Sequence, residues 1–256
     1  MPEPLAIEII PLTGIGEVPV GADLPTLLAT AIATSGRALA DGDIVVVTQK
    51  IVSKAEGRFV SLDEIQPGAE AIALAETTRK DSRLVELVLR ESSAVVRAVP
   101  NVLVTRHRLG LVMANAGIDR SNIGPGNTER VLLLPIDPDC SAAGIADGLH
   151  DRTGVRPAVV ISDSFGRPWR HGVVGVAIGV AGLPALIDRR GDQDRDGRTL
   201  EVTQIALADM LATAAALVSG EGAEGIPAVL IRGYRWTPAA CPASALVRPL
   251  EEDLFR

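Results

Sequence analysis

Ala158-Val159-Val160-Ile161-Ser162-Asp163-Ser164-Phe165-Gly166-Arg167-Pro168-Trp169-Arg170 joins an apolar run to a polar motif. The first part has no polar alternation, so it reads as a strand over Ala158 to Ser162 buried on both faces. Ile44-Val45-Val46-Val47-Thr48 has the same character and follows the turn Asp41-Gly42-Asp43. A third apolar piece, Pro227 to Arg232, gives a late strand, and Leu5 to Pro11 gives an early one entering a turn at Thr13-Gly14-Ile15-Gly16. Helices are expected over Leu24 to Leu39 with Asp23 as cap, Pro67 to Thr78, Ser82 to Glu91, Ser141 to Arg152, and Thr203 to Val218 with Gly220 closing it. Asn101 to Val112 reads as a strand pair and Val131 to Pro135 as a short strand. The run Gly172 to Gly182 is too β-branched and glycine-rich to assign as a helix. Strands and helices therefore mix without strict βαβ alternation, and the fold class is α+β or an irregular α/β.

A chain of 256 residues with 47% apolar and 22% charged side chains supports a sizeable core, as one large domain or two small lobes. The net charge of -7 argues against a general nucleic-acid binder, which needs a positive field. Aromatic residues make up only 2% and are scattered, so no stacking platform for single strands is expected. The 2 cysteines, Cys140 and Cys241, have no metal-ligand spacing and imply no disulfide framework. Met1-Pro2-Glu3-Pro4 lacks the parts of a signal peptide, and no long apolar run is present, so a cytoplasmic protein without a membrane span is expected.

The chemistry-bearing positions lie at the ends of apolar segments. Asp163 closes the strand Val159 to Ser162, where open sheets place ligands, and Ser164 adds a hydroxyl oxygen suited to a hard cation. Asp119, in Asn115-Ala116-Gly117-Ile118-Asp119-Arg120-Ser121-Asn122, offers a second carboxylate, with Asn122 as a polar contact. Lys54 lies beyond a buried strand and can serve as a point charge on a phosphate. In Ser219-Gly220-Glu221-Gly222-Ala223-Glu224-Gly225-Ile226, three glycines allow backbone amides to approach an anion, and Glu221 can complete a metal site. Each of these also fits an ordinary turn or solvated loop. Neither a GxxxxGK[ST] loop nor a GxGxxG turn after a strand is present, and the 3 histidines form no triad.

In their order these pieces resemble the F420:gamma-glutamyl ligase family, that is, coenzyme F420-0:L-glutamate ligase in its stand-alone form without a fused reductase domain. Ser162 to Arg170 and Gly117-Ile118-Asp119-Arg120-Ser121-Asn122 carry the resemblance most specifically. Glu8 to Gly14, Asp41 to Asp43, Val46 to Gly57, Leu134 to Asp139, Gly172 to Gly182, Leu200 to Asp209 and Gly220 to Pro227 extend it nearly end to end. The resemblance implies an α+β, two-lobed, mixed-sheet protein forming an intertwined homodimer from one ligase domain spanning the chain. It implies GTP-dependent addition of L-glutamate to F420-0 through an acyl phosphate, with Mg2+ or Mn2+ (two ions) and K+ as a further cation.

Carried over by position, the metal ligands are Asp119, Asp163, Ser164 and Glu221. The nucleotide contacts are Ile15, Gly16, Glu17, Val18, Gln49, Lys50, Lys54, Asn122 and the loop Ser219, Gly220, Glu221, Gly222, Ala223, Glu224, Gly225 and Ile226. Family members often have threonine at Ser164, and some have small hydroxylated residues at Gln49 and Lys50. The same carboxylates also fit a metal-dependent nucleotide or phosphoester hydrolase, and the set as a whole fits a non-catalytic nucleotide or deazaflavin binder.

Overall fold

The computed structural model describes residues 6–124 and 129–254. In chain order the elements are β1 (Glu8–Leu12), α1 (Leu24–Thr34), β2 (Ile44–Thr48), α2 (Gln49–Ala55), β3 (Phe59–Ser61), α3 (Ala69–Thr78), α4 (Ser82–Arg90), β4 (Ser92–Val99), β5 (Val102–His107) and β6 (Val112–Ala114). They continue with β7 (Arg130–Leu132), α5 (Pro138–Thr153), β8 (Ala158–Arg167), β9 (Arg170–Ala181), β10 (Ile187–Asp188), β11 (Gln204–Ile205), α6 (Leu207–Ser219) and β12 (Ala228–Arg232). The protein is α+β with mixed sheets. Its contacts separate two compact units: one of Met1–Gly16, Asp23–Val52 and Ile136–Arg256, the other of Glu17–Ala22 and Ser53–Pro135.

The first unit is built on a five-stranded sheet in the order β1-β12-β2-β8-β9. Only β2 and β8 run parallel as neighbours, and both are buried through their apolar runs, as their unbroken hydrophobicity requires. Helix α6 packs on one face through Leu207, Ala208, Leu211, Ala212 and Ala215, against Ile44, Val46, Val160 and Val229.

The glycine-rich run 172–182 is strand β9, and its glycines explain why helices can lie so close to it. A Cβ on Gly175 would stand 2.3 Å from the Ala212 carbonyl of α6, and one on Gly179 would stand 2.3 Å from the Pro138 carbonyl of α5. These glycines face opposite sides because Ile178 is an extra residue: Ser162 pairs with Ala177 while Ile161 pairs with Gly179. A bulge of this kind reverses the alternation of side chains along a strand. Carboxylates of both helices then take the strand's amides. Asp209 Oδ1 accepts from Ala177 N at 2.9 Å, and Asp139 Oδ1 accepts from Val180 N at 2.8 Å.

The second unit pairs β3 with β7 and forms a separate antiparallel sheet β4-β5-β6. Leu84, Val85, Leu87 and Val88 of α4 bury one helical stripe with Ala71, Leu62, Leu103 and Val131. Behind this core Glu91 gathers charge: Arg58 lies 3.1 Å and Arg108 3.2 Å from its Oε2, with the buried His107 Nε2 at 3.7 Å.

Several boundaries differ from the sequence expectation for local reasons. Helix α1 stops at Thr34 rather than Leu39, because Gly36 turns to φ +73° and the Ser35 hydroxyl donates to the Ile32 carbonyl. Helix α5 starts at Pro138, since the Asp137 carboxylate accepts from Cys140 N at 3.0 Å and caps it. Thr203 to Ile205 does not belong to α6, because Gln204 and Ile205 pair with Asp188 and Ile187 as a short ladder. Strand β8 does not end at Ser162; it runs on to Arg167 as a hairpin with β9.

Candidate functional site

Strand register in the first unit brings four of the expected segments to one end of the sheet. Thr48, the last residue of β2, pairs with Ser162, where the parallel pairing of β2 with β8 ends. Gln49 and Lys50 therefore follow the sheet beside Asp163 and Ser164. Strand β12 runs antiparallel to β2, so its first residue, Ala228, stands opposite Val47, and Thr48 N donates to the Pro227 carbonyl at 2.9 Å. The loop Ser219 to Ile226 thus enters at this end. Leu12, the last residue of β1, also pairs with Ala228, which carries Ile15 and Gly16 out from the same edge.

Side-chain geometry connects two of these segments. The Ser164 hydroxyl lies 2.7 Å from Glu221 Oε1 and 2.8 Å from Oε2, so two oxygen ligands named from sequence already touch across 57 positions. Asp163 is the preceding residue of β8, paired with Val176 rather than closing the strand. Alternation turns Asp163 and Ser164 toward opposite faces, with Asp163 half-buried and Ser164 exposed. Hydroxyl and carboxylate oxygens are the donor set that hard divalent cations take.

The glycine loop has a defined shape. Gly220 ends α6 at φ +70°, and Gly225 also has positive φ, at +68°. Gly222 N donates to Glu224 Oε2 at 2.8 Å, and a Cβ on Gly220 would stand 2.1 Å from the Glu224 carboxyl carbon. Glu224 therefore folds back over its own loop backbone. That contact is a loop-internal use of a residue that sequence gave as a nucleotide contact. Arg167, whose role sequence left open, donates to the His171 carbonyl across the β8–β9 hairpin at 3.0 Å.

The second unit holds Glu17, Val18, Lys54, Asp119 and Asn122. Val18 is buried. Asp119 and Leu132 exchange both backbone hydrogen bonds at 2.9 Å, which fixes the backbone at Asp119. Asn122 sits at φ +55°, where asparagine is better tolerated than most side chains. Lys54 is buried in the last turn of α2, with its Nζ 2.7 Å from Glu17 Oε1. Sequence named both residues of this pair but gave no sign that they touch, since 37 positions separate them. Of Gly124-Pro125-Gly126, a glycine-rich piece whose sequence reads as a turn, only Gly124 lies within the described residues. Among the described residues no three His, Cys, Asp or Glu side chains gather as a metal cluster, and no helix is long and apolar enough to cross a membrane.

Known proteins that this chain resembles fall in one family. The F420-0:Gamma-glutamyl ligase family model matches residues 14–233. The chain is 48% identical over 254 residues to the coenzyme F420:L-glutamate ligase of Methanothermobacter thermautotrophicus, covering 98% of each protein. It is 46% identical over 256 residues to that of Methanopyrus kandleri, again covering 98% of each. With the Methanocaldococcus jannaschii enzyme of that name it shares 45% over 216 residues, covering 84% of this chain and 85% of the relative. With the matched region spanning both units and both of its most specific motifs, the chain belongs to the F420-0:gamma-glutamyl ligase family.

Proposed function

We propose that this protein is a GTP-dependent ligase that adds L-glutamate through an amide bond to coenzyme F420-0 in F420 biosynthesis. The observation that carries the reading is the register of the sheet, which delivers Ile15–Gly16, Gln49–Lys50, Asp163–Ser164 and the Ser219–Ile226 loop to one end. A carboxylate does not condense with an amine unaided. Transfer of the γ-phosphoryl group of GTP to the F420-0 carboxylate gives GDP and an acyl phosphate. The glutamate amine then attacks the acyl carbon and phosphate leaves.

In the first unit, Asp163, Ser164 and Glu221 are the proposed cation ligands, and in the second, Asp119. A bound Mg2+ or Mn2+ neutralises triphosphate charge and the charge that spreads over the transferred group. Two such cations are proposed, as the family resemblance implies, with K+ as a further one. Lys54 supplies a positive point charge to phosphate, while backbone amides of the glycine loop and the side chains of Gln49, Lys50 and Asn122 orient the nucleotide. Positioning and electrostatics of this kind need no histidine base.

The test is a reaction of purified protein with GTP, Mn2+, glutamate and F420-0, read by mass spectrometry. A product heavier by one glutamate residue or more is expected, with GDP release that depends on both glutamate and F420-0. Steady GDP release without either acceptor would instead mark a nucleotide hydrolase.

A further inference from the structure

Lys54 is a charged residue with little access to water: its side chain is 6% exposed, and its ammonium lies 2.7 Å from Glu17, whose side chain is 54% exposed. Burying an ammonium without a partner is strongly unfavourable. Glu17 therefore determines where the Lys54 charge rests. Glu17 is in turn seated on bare backbone. A Cβ on Gly124 would stand 2.6 Å from Glu17 Oε1 and 3.0 Å from its carboxyl carbon, and Gly124 also has φ +92°.

The short segment that carries Glu17 is strapped to the end of α2. Gly21 N donates to the Ala55 carbonyl at 2.8 Å, and a Cβ on Gly57 would stand 3.0 Å from Val20 Cγ1. The Glu17 segment, the end of α2 and Gly124 thus meet around the Glu17–Lys54 pair. An ammonium has three N–H donors and the contact to Glu17 uses one, which leaves donors for an anionic ligand. A carboxylate turned directly toward a triphosphate would repel it, whereas one held against Lys54 is already compensated.

Resting on the reading of Lys54 as a phosphate contact, we propose that Glu17, which the resemblance gives as a nucleotide contact, is instead a positioning residue that acts on the nucleotide through Lys54 and not by touching it. Its effect is on nucleotide capture. Glu17→Gln keeps an oxygen acceptor but removes the charge, and it should raise the KM for GTP about tenfold, the equivalent of roughly 1.4 kcal/mol. The kcat should stay within about twofold, since only ground-state and transition-state binding alike are weakened. The KM values for glutamate and F420-0 should not move. Glu17→Asp keeps the charge one methylene short and should restore part of the GTP affinity.

The deciding measurement is a double-mutant cycle in the active enzyme with Lys54→Met. Glu17→Gln should add no further loss of GTP affinity in the Lys54→Met background. Additive losses, or an unchanged GTP KM in folded Glu17→Gln protein, would overturn the proposal. If circular dichroism shows that Glu17→Gln does not fold, the cycle is read with Glu17→Asp, for which an unchanged GTP KM is equally fatal. Absence of GTP turnover in the wild-type protein would overturn the ligase reading instead, so the two failures are distinct.

Discussion

On the proposed function, Asp163 supplies a carboxylate that balances triphosphate charge through a bound cation, and so does Asp119. Replacing either by asparagine keeps the shape and removes the charge. Neither side chain belongs to the apolar core cluster of its own unit. Asp163→Asn and Asp119→Asn should therefore melt near the wild-type temperature while ligation falls below detection. Near-wild-type turnover in either folded variant would sink its assignment as a metal ligand. Asp209 is a carboxylate with a structural task. Burial pushes its carboxyl above the usual carboxylate range, and the Ala177 N–H bond pulls it partly back. A raised folded-state value means that its contribution to stability is full below the unfolded-state value near ~3.9 and is lost as pH rises through the folded one. Asp209→Asn retains an acceptor for Ala177 without the charge. Urea unfolding of both proteins should show the variant gaining on the wild type as pH rises through that interval and holding its gain above it. A difference that stays constant with pH would show that Asp209 does not titrate with folding.

Strand β9 shows how composition can rule out a helix, leave an element unassigned and still dictate it. Its glycines are there because two helices press on it, one from each face. Gly179→Ala would set a Cβ 2.3 Å from a backbone carbonyl that no rotamer change can move aside. The expected loss is about 1–3 kcal/mol, at the upper end because backbone must shift. It should be read as a lower urea midpoint with unchanged slope; an unchanged midpoint would mean that α5 is free to withdraw. The apolar strands β2, β8 and β12 were legible because they are buried on both faces, and Asp23 and Gly220 mark helix ends as their chemistry requires. Helix α2 was not legible, because it starts at Gln49 directly after β2 with no turn residue between them. Strand β4 was not legible either, since Ser92 to Val99 is mostly exposed and carries no inward–outward pattern. The candidate site was legible as an ordered set of motifs. What sequence spacing could not supply was contact: Ser164 with Glu221, and Lys54 with Glu17, meet only because of strand register and a strapped loop.

On the scale of the whole molecule, β4 also bears on assembly. It lies at the edge of its sheet, and among the described residues it pairs with β5 alone. Val95 pairs with Thr105 and Arg97 with Val104, so Val96 is the extra residue of a bulge, and the two valines are 37% and 50% exposed. An edge strand of 8 residues with both faces open offers a ladder of backbone groups and apolar side chains to another chain. A second copy presenting the same strand would satisfy that edge by two-fold symmetry. This supports the homodimer that the family resemblance implies. Light scattering at micromolar concentration should give twice the chain mass. Val96→Lys places a charge on the exposed edge and should shift the population toward monomer while each chain keeps its far-ultraviolet spectrum. A wild-type monomer would overturn the dimer; a Val96→Lys dimer as tight as wild type would move the interface away from β4.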